Sequence, residues 1–228
     1  MRLGYCVIAI AAAAGGQAAD TAYPVRPVRL LVPQAAGGSN DIMARNVANF
    51  LTVNLGRQVV VDNRPGAEGI IGTALFKSLS GLDFTILLYK GGFPAMIDVM
   101  GGQAHMTVGS IVQSIPHIRS GKLKPIATGS ATRAGTLPDL PTIAESGVPG
   151  YDAANWWAIA APAGTPQAVI AKLNAAVATY LGMPETQKRF LNEGAEVDIR
   201  TPAAVVAMIP LDMAKWARVA KDAGMRAD

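Results

Sequence analysis

The residues best placed to do chemistry in this chain are Ala36, Gly37, Gly38, Ser39, Asn40 and Asp41. They lie between an apolar run (Val28, Leu30, Leu31, Val32), ended by Pro33, and a segment with helical spacing. A helix that opens just past Gly-Gly leaves backbone N–H groups aimed at whatever sits in front of the loop, and the helix dipole adds partial positive charge there. Such a place suits a carboxylate or a phosphate. An ordinary strand-to-helix turn that binds nothing has the same local pattern, so the loop alone does not decide between the two.

Other chemistries find little support. His105 and His117 are the only histidines. With no further ligand at metal spacing, both read as surface or packing residues rather than a zinc site or a general base. There is no Ser/His/Asp or Cys/His set, no paired-carboxylate motif, and no Walker or dinucleotide fingerprint. These observations argue against an enzyme, and no catalytic residue, metal or cofactor is assigned. The formal charge of +4 is mild and the basic residues are scattered, so a nucleic-acid surface is not indicated.

The elements that must position the loop are legible around it. Met43, Val47, Phe50 and Leu51 fall on one helical stripe, with Arg45 and Asn46 on the other side and Ser39, Asn40 and Asp41 as the cap. Val59 to Val61 read as a second buried strand, and Asn63 to Gly69 as its exit loop, because Arg64-Pro65-Gly66 cannot continue a ladder. Two strand ends therefore open through small-residue loops into helices. In parallel α/β sheets that carboxyl edge is where ligands sit. Arg64 could pair with an anion or lie solvated on the surface.

Further on, the spacing predicts helices over Ile70–Leu79, Pro94–Met100 and Ile111–Arg119. Strands are predicted over Leu82–Tyr89, His105–Val108 and Leu123–Thr128. Arg133 to Gly150 reads as a long ordered loop with a short helix at Thr142–Ser146. Tyr151 to Pro162 is strand-like, and its adjacent Trp156 and Trp157 would face opposite sides, both core or one towards a crevice. Thr165 caps a helix that starts at Pro166, with a stripe of Val169, Ile170, Leu173, Val177, Tyr180 and Leu181. A shorter helix runs from Pro184 to Asn192, followed by a strand at Glu196–Ile199. A last helix from Thr201-Pro202 should bury Val206, Ile209, Met213, Trp216 and Ala220 and kink at Pro210.

The N-terminus follows a secretory pattern: Arg2, then an apolar or small run from Leu3 to Ala14, then small residues with cleavage expected after Ala18 or Ala19. An uncleaved buried helix is the alternative. The only cysteine, Cys6, lies in that run, in a poor lipoprotein context, so the mature protein would carry no thiol or disulfide. The 228 residues, half of them hydrophobic and 16% charged, allow one large or two small domains.

Six blocks then match a known pattern: VPQAAGGSNDIMAR, VVVDNRPGAEGIIGTA, LYKGGFPAMIDVMGGQ, PHIRSGKLKPIATGSATRAGTLPDLPTIAESGVPGY, NWWAIAAPAGTP and the AKWARVAKDAGMRAD tail. Together, and in order, they resemble the Bug family, the periplasmic solute receptors of tripartite tricarboxylate transporters. The resemblance implies an α/β, periplasmic binding protein-like (type II) fold of two lobes, with the ligand between them. It implies that Ala36, Gly37, Gly38, Ser39, Asn40 and Asp41, with Asn63, Arg64, Gly66, Ala67 and Gly69, clamp a carboxylate mainly through backbone N–H groups, Asp41 ordering its own loop. Tyr89 and Lys90 would present from the second lobe. The partners it implies are a small carboxylate ligand and the membrane permease subunits of the transporter.

The sequence departs from that pattern in four places. Gln34 stands where the family usually has an aromatic, His105 where it usually has an acid, and Pro210 where its helix is uninterrupted. Between Ala74 and Leu75 roughly 80 to 90 family residues are missing, in keeping with the short chain. The expected layout is a signal peptide over 1–19, an incomplete first lobe over 20–74 plus about 160–228, and an incomplete second lobe over 75–159. Loss of the central segment should expose apolar sheet faces, at about 25 cal/mol per Å² of uncovered area, with weakened stability or a compensating homodimer as the consequence. A receptor for small organic acids, a non-functional remnant of one, and a small α/β enzyme acting on a carboxylate are the readings carried forward, in that order.

Overall fold

The protein is seen here in a computed structural model that describes residues 6–7, 23–34, 36–64, 80, 85, 87, 89 and 91–222. In chain order the elements are β1 (Cys6–Val7), β2 (Val28–Val32), α1 (Ser39–Leu55), β3 (Val59–Asn63), α2 (Gly92–Met100), α3 (Ile111–Arg119), α4 (Gln167–Gly182), α5 (Pro184–Asn192), β4 (Val197–Asp198) and α6 (Pro202–Asp222). The helix predicted over Ile70–Leu79 lies outside the described residues.

Strand β2 pairs in parallel with β3, with Val28 opposite Val59 and Val32 opposite Asn63. Helix α1 crosses between them, as parallel pairing requires. Its inward residues Met43, Val47, Ala48 and Leu51 are buried and pack with Val59 of β3, with Ala176, Val177, Tyr180 and Leu181 of α4, and with Phe190 of α5. Phe50 stacks on Tyr180 at 4.6 Å between ring centroids, and Tyr180 meets Phe190 edge-on at 6.0 Å. Early and late parts of the chain thus share one core. Val112 of α3 belongs to it too. Helix α1 stops where Gly56 takes the left-handed conformation, φ 66°, which glycine adopts without a Cβ penalty.

The pleat turns Val28, Leu30 and Val32 towards this core, while Leu31 and Val60 stand 60% and 42% exposed on the opposite face. Val28, Leu30, Leu31 and Val32 of β2 and Val59–Val61 of β3 place apolar residues on both faces, the pattern of a parallel sheet covered on two sides. Among the described residues, the second side over Leu31 is covered only in part, by residues 156–159 across a cavity. Strand β1 pairs in parallel with β4, Cys6 beside Val197.

Helices α3 and α5 have the predicted bounds, and α2 starts two residues earlier than expected. Every residue of the predicted α4 stripe is buried. Its start differs: Pro166 occupies the cap position and Gln167 opens the helix, because the Thr165 hydroxyl donates backwards to the Pro162 carbonyl at 2.8 Å. Strands do not form at His105–Val108, Leu123–Thr128 or Tyr151–Pro162, nor at Thr85, Leu87 or Tyr89 of the predicted Leu82–Tyr89 strand. Thr128 instead makes an isolated bridge with Thr142. Residues Thr142–Ser146 form a hydrogen-bonded turn, Ser146 N–H to Thr142 O at 3.0 Å, rather than a helix. The Glu196–Ile199 strand shortens to Val197–Asp198.

Helix α6 runs from Pro202 to Asp222 with Pro210 inside it. The predicted inward stripe is buried only in part: Ile209, Trp216 and Ala220 are half-buried, but Val206 and Met213 are 46% and 67% exposed and Val205, beside the stripe, is buried. Spacing gives the period of a helical stripe but not which side the fold chooses. Here the side is set by Trp216, which packs on the Val148/Tyr151 cluster, and by Asp212, which accepts from Trp156 Nε1 (3.0 Å) and Trp216 Nε1 (3.2 Å).

Candidate functional site

The loop after β2 and the end of β3 lie side by side because the two strands pair in register up to Val32 and Asn63. Gly37 takes φ 81°, a left-handed conformation that turns the chain into α1. Gly38 is the N-cap residue and makes no side-chain cap bond, and Ser39, Asn40 and Asp41 are the first helical residues. Of the three expected capping side chains only Asp41 takes a backbone N–H here, and Gln34 supplies a second acceptor. The Gly37 N–H donates to Asp41 Oδ2 at 2.9 Å, and the Asn40 N–H donates to Gln34 Oε1 at 2.7 Å.

Asp41 is the electrostatic centre of the loop and is only 3% exposed. Besides Gly37, it takes Arg45 Nε at 3.0 Å and Asn63 Nδ2 at 3.1 Å, with Arg45 Nη2 2.9 Å from Oδ1. Burial pushes its carboxyl pKa upward. The bonds from Arg45, Gly37 and Asn63 outweigh that and hold it below the usual aspartate value. Asn63 also donates to the Gln34 carbonyl at 3.0 Å and accepts from Arg45 Nη2 at 3.3 Å, so one side chain ties the end of β3 to the loop after β2.

Arg64 is directed elsewhere. Its backbone N–H extends the strand pairing to Val32 O at 2.7 Å, while its side chain, 68% exposed, lies against Asp62 at 3.3 Å. Asp62 is also held by Arg29, whose guanidinium is the main cause of its lowered pKa. Tyr89 donates to Asp98 Oδ2 at 2.6 Å, the bond that raises the phenol pKa. Gly66, Ala67, Gly69 and Lys90 lie outside the described residues.

A cavity of about 270 Å³ adjoins the first turn of α1, walled by the end of β2, the inward side of α1 and residues 156–159. Both tryptophans line it, and both are half-buried, so neither is a pure core residue. Trp157 Nε1 donates to Asn40 Oδ1 at 2.8 Å, fixing the Asn40 side chain from the cavity side. Gln34, Arg45 and Trp157 were not singled out as site residues from sequence. Each carried a signal: Gln34 as a departure from the family pattern, Trp157 as one of two tryptophans of which one could face a crevice, and Arg45 by its i,i+4 spacing from Asp41. Among the described residues no three His, Cys, Asp or Glu side chains group as a metal site, and no helix is long and apolar enough to cross a membrane.

A parallel strand-loop-helix edge with convergent backbone donors is the architecture of a solute-binding α/β protein, and solved structures agree. The fold is similar to that of an R. palustris protein solved with adipate (TM-score 0.84, 26% identity, 89% of this chain and 98% of that one). It is also similar to the periplasmic binding protein BugD (TM-score 0.76, 27% identity, 90% of this chain and 100% of that one). The family described as tripartite tricarboxylate transporter family receptor matches residues 74–225, and the chain belongs to that family. Its members are periplasmic solute-binding receptors, not enzymes, so the enzyme reading falls.

Among curated relatives, the chain is 27% identical to protein BugT of Bordetella pertussis, covering 96% of this chain and 95% of that protein. It is 24% identical to a UPF0065 protein of Agrobacterium vitis, covering 90% and 87%. The BugT alignment spans 312 positions against 228 residues here, so at least 84 positions of it have no counterpart in this chain. The fold is truncated to that extent relative to its relatives.

Proposed function

We propose that this protein is an exported receptor that binds a small carboxylate at the N-terminus of α1 and hands it to the permease subunits of a tripartite tricarboxylate-type transporter. The observation that carries this reading is the convergence at the start of α1. The strand ends of β2 and β3 are locked together by Asn63 and Asp41, which fixes the course of the Gly37–Asn40 backbone at the helix N-terminus; the Asn40 N–H, held by Gln34, is exchanged to an incoming anion. Preorganised backbone donors at a helix terminus bind carboxylates because no side-chain ordering is needed on binding.

The ligand-contacting set is Ala36, Gly37, Gly38, Ser39 and Asn40, with Asn63 and, once its exposed guanidinium turns from Asp62, Arg64, and with Gly66, Ala67, Gly69, Tyr89 and Lys90 completing it. Asp41 holds the loop rather than touching the ligand, since a carboxylate facing an anion would repel it. A small di- or tricarboxylate is the favoured class, in keeping with adipate on the R. palustris relative. Residues 1–19 serve as the secretory signal. The first lobe comprises 20–74 and about 160–228, and the second 75–159. The join lies between Ala74 and Leu75, beside the start of the family match at 74. The partly uncovered face of β2 and β3, with Leu31 and Val60, is where a second copy would pack in a homodimer.

One observation favours a second reading, a remnant that no longer binds: the 84 or more positions missing relative to BugT. A single experiment separates the two. The thermal melt of the purified protein is recorded by circular dichroism alone and with millimolar adipate, malate or citrate. A cooperative transition raised by one of them supports the receptor, because a ligand stabilises only the state that binds it. A transition that none of them moves supports the remnant.

A further inference from the structure

We infer that Gln34 is a built-in competitor for the carboxylate position, displaced by ionised ligands and not by neutral ones; this rests on the receptor reading above. The Gln34 side chain is 8% exposed, and its amide oxygen occupies the Asn40 N–H at 2.7 Å. It lies so close over the loop that a Cβ added to Gly38 would stand 2.3 Å from that oxygen and 2.4 Å from its carbon. The space immediately in front of Gly38, where an anion would approach the backbone, is therefore filled by the protein's own carboxamide. One oxygen of that group stands in for one carboxylate oxygen.

The geometry also says how it can leave. The Gln34 backbone carbonyl is held by Asn63 Nδ2 at 3.0 Å, so the main chain stays in place while the side-chain torsions swing the amide aside. A ligand must replace what it displaces. A neutral amide or ester oxygen exchanges one hydrogen bond for an equivalent one and gains nothing at Asn40. A carboxylate brings charge-assisted bonds roughly twice as strong, favoured further by the helix dipole. Gln34 thus lowers affinity by one common displacement cost for every ligand that takes this position, and only a charged ligand regains more than that cost there.

The test uses the purified full chain, with adipate and its neutral diamide as probes. In ¹⁵N spectra of the wild-type protein, saturating adipate should shift both the Asn40 backbone amide and the Gln34 side-chain NH2 resonances. In calorimetric titrations Gln34→Ala should bind adipate about fivefold more tightly, the ratio that a net hydrogen bond of about 1 kcal/mol represents. Saturating diamide should leave the Gln34 side-chain resonances of the wild type unmoved, because it gains nothing by displacing the amide. Adipate binding that leaves the Gln34 resonances unmoved, or an unchanged or weaker affinity in Gln34→Ala with its melt intact, overturns the competitor role and leaves the receptor reading standing. Failure of both wild type and Gln34→Ala to bind adipate, with cooperative melts in both, overturns the two together.

Discussion

Asn63, the last residue of β3, donates to Asp41 Oδ1 at 3.1 Å across the mouth of the loop that follows β2. The same amide group reaches the Gln34 carbonyl at 3.0 Å. Two strand ends, a turn and the first turn of a helix are therefore joined through one carboxamide and one carboxylate. Register places them there: Val32 opposite Asn63 is the last pair of the β2–β3 ladder, so the side chain at 63 emerges beside the loop.

Replacing Asn63 by Ala removes these donors and leaves Asp41 and the Gln34 carbonyl short of partners in a half-buried setting. A loss of about 1–3 kcal/mol is expected, read as a lower midpoint in urea. A variant with an unmoved midpoint would show that water takes over the bridge at no cost.

The Asp41 network also fixes a pH dependence. Its folded pKa is below the unfolded value, so the carboxylate stabilises the fold fully above an unfolded pKa of about 3.9. That contribution is lost as pH falls through the lowered folded value. Asp41→Asn should therefore destabilise the protein at neutral pH, by about 1–3 kcal/mol. The gap to wild type should narrow as both are titrated down from the unfolded aspartate range and close below the lowered folded value. Parallel stability curves across that window would mean that Asp41 does not titrate as its contacts require.

How much could be read from the sequence follows from how local each signal is. Helices α3 and α5 have the predicted bounds because Ser120-Gly121 ends one and Pro184 starts the other within the segment itself. The loop from Ala36 to Asp41 was legible for the same reason. Strands β2 and β3 were legible beside it, but those expected at His105–Val108, Leu123–Thr128 and Tyr151–Pro162 do not form, because a strand exists only with a hydrogen-bonded neighbour. Residues 151–162 have the apolar composition of one and run without a ladder. BugT has at least 84 positions with no counterpart in this chain, and those are residues that could supply such neighbours. Gln34 was noticed as a departure from the family pattern. Its part in the loop depended on a contact six residues away that no spacing rule announces.

The shared core gives a prediction of its own. Phe190 is 0% exposed and packs edge-on against Tyr180, which stacks on Phe50 of α1, so the ring joins the late helices to the element that carries the site. Phe190→Ala should cost about 3–5 kcal/mol. Against a typical total of about 5–15 kcal/mol, that is enough to remove most of the margin. Loss of the cooperative melt, or a large fall in its midpoint, is the expected reading. A drop of only a degree or two would show that the two ends of the chain fold independently.

Gly38 and Gln34 make the sharpest case, because one substitution is expected to change sign with the other. Gly38 has φ −72° and ψ 166°, a backbone that alanine adopts without strain. On backbone grounds alone, Gly38→Ala should stabilise by about 0.4–1 kcal/mol, through the reduced freedom of the unfolded chain. The obstacle is the Gln34 side chain 2.3 Å from the new Cβ. Expelling it breaks the bond to the Asn40 N–H and adds packing strain, typically about 1–3 kcal/mol, so the single variant should be destabilised. With Gln34→Ala already present the obstacle is gone, and Gly38→Ala should become neutral or stabilising. Four urea titrations give the coupling directly, expected at about 1–3 kcal/mol for residues in contact. Adipate binding, by contrast, should be weakened by Gly38→Ala in both backgrounds, since the methyl stands where the carboxylate would approach. A coupling near zero would place the Gln34 side chain away from Gly38 in solution.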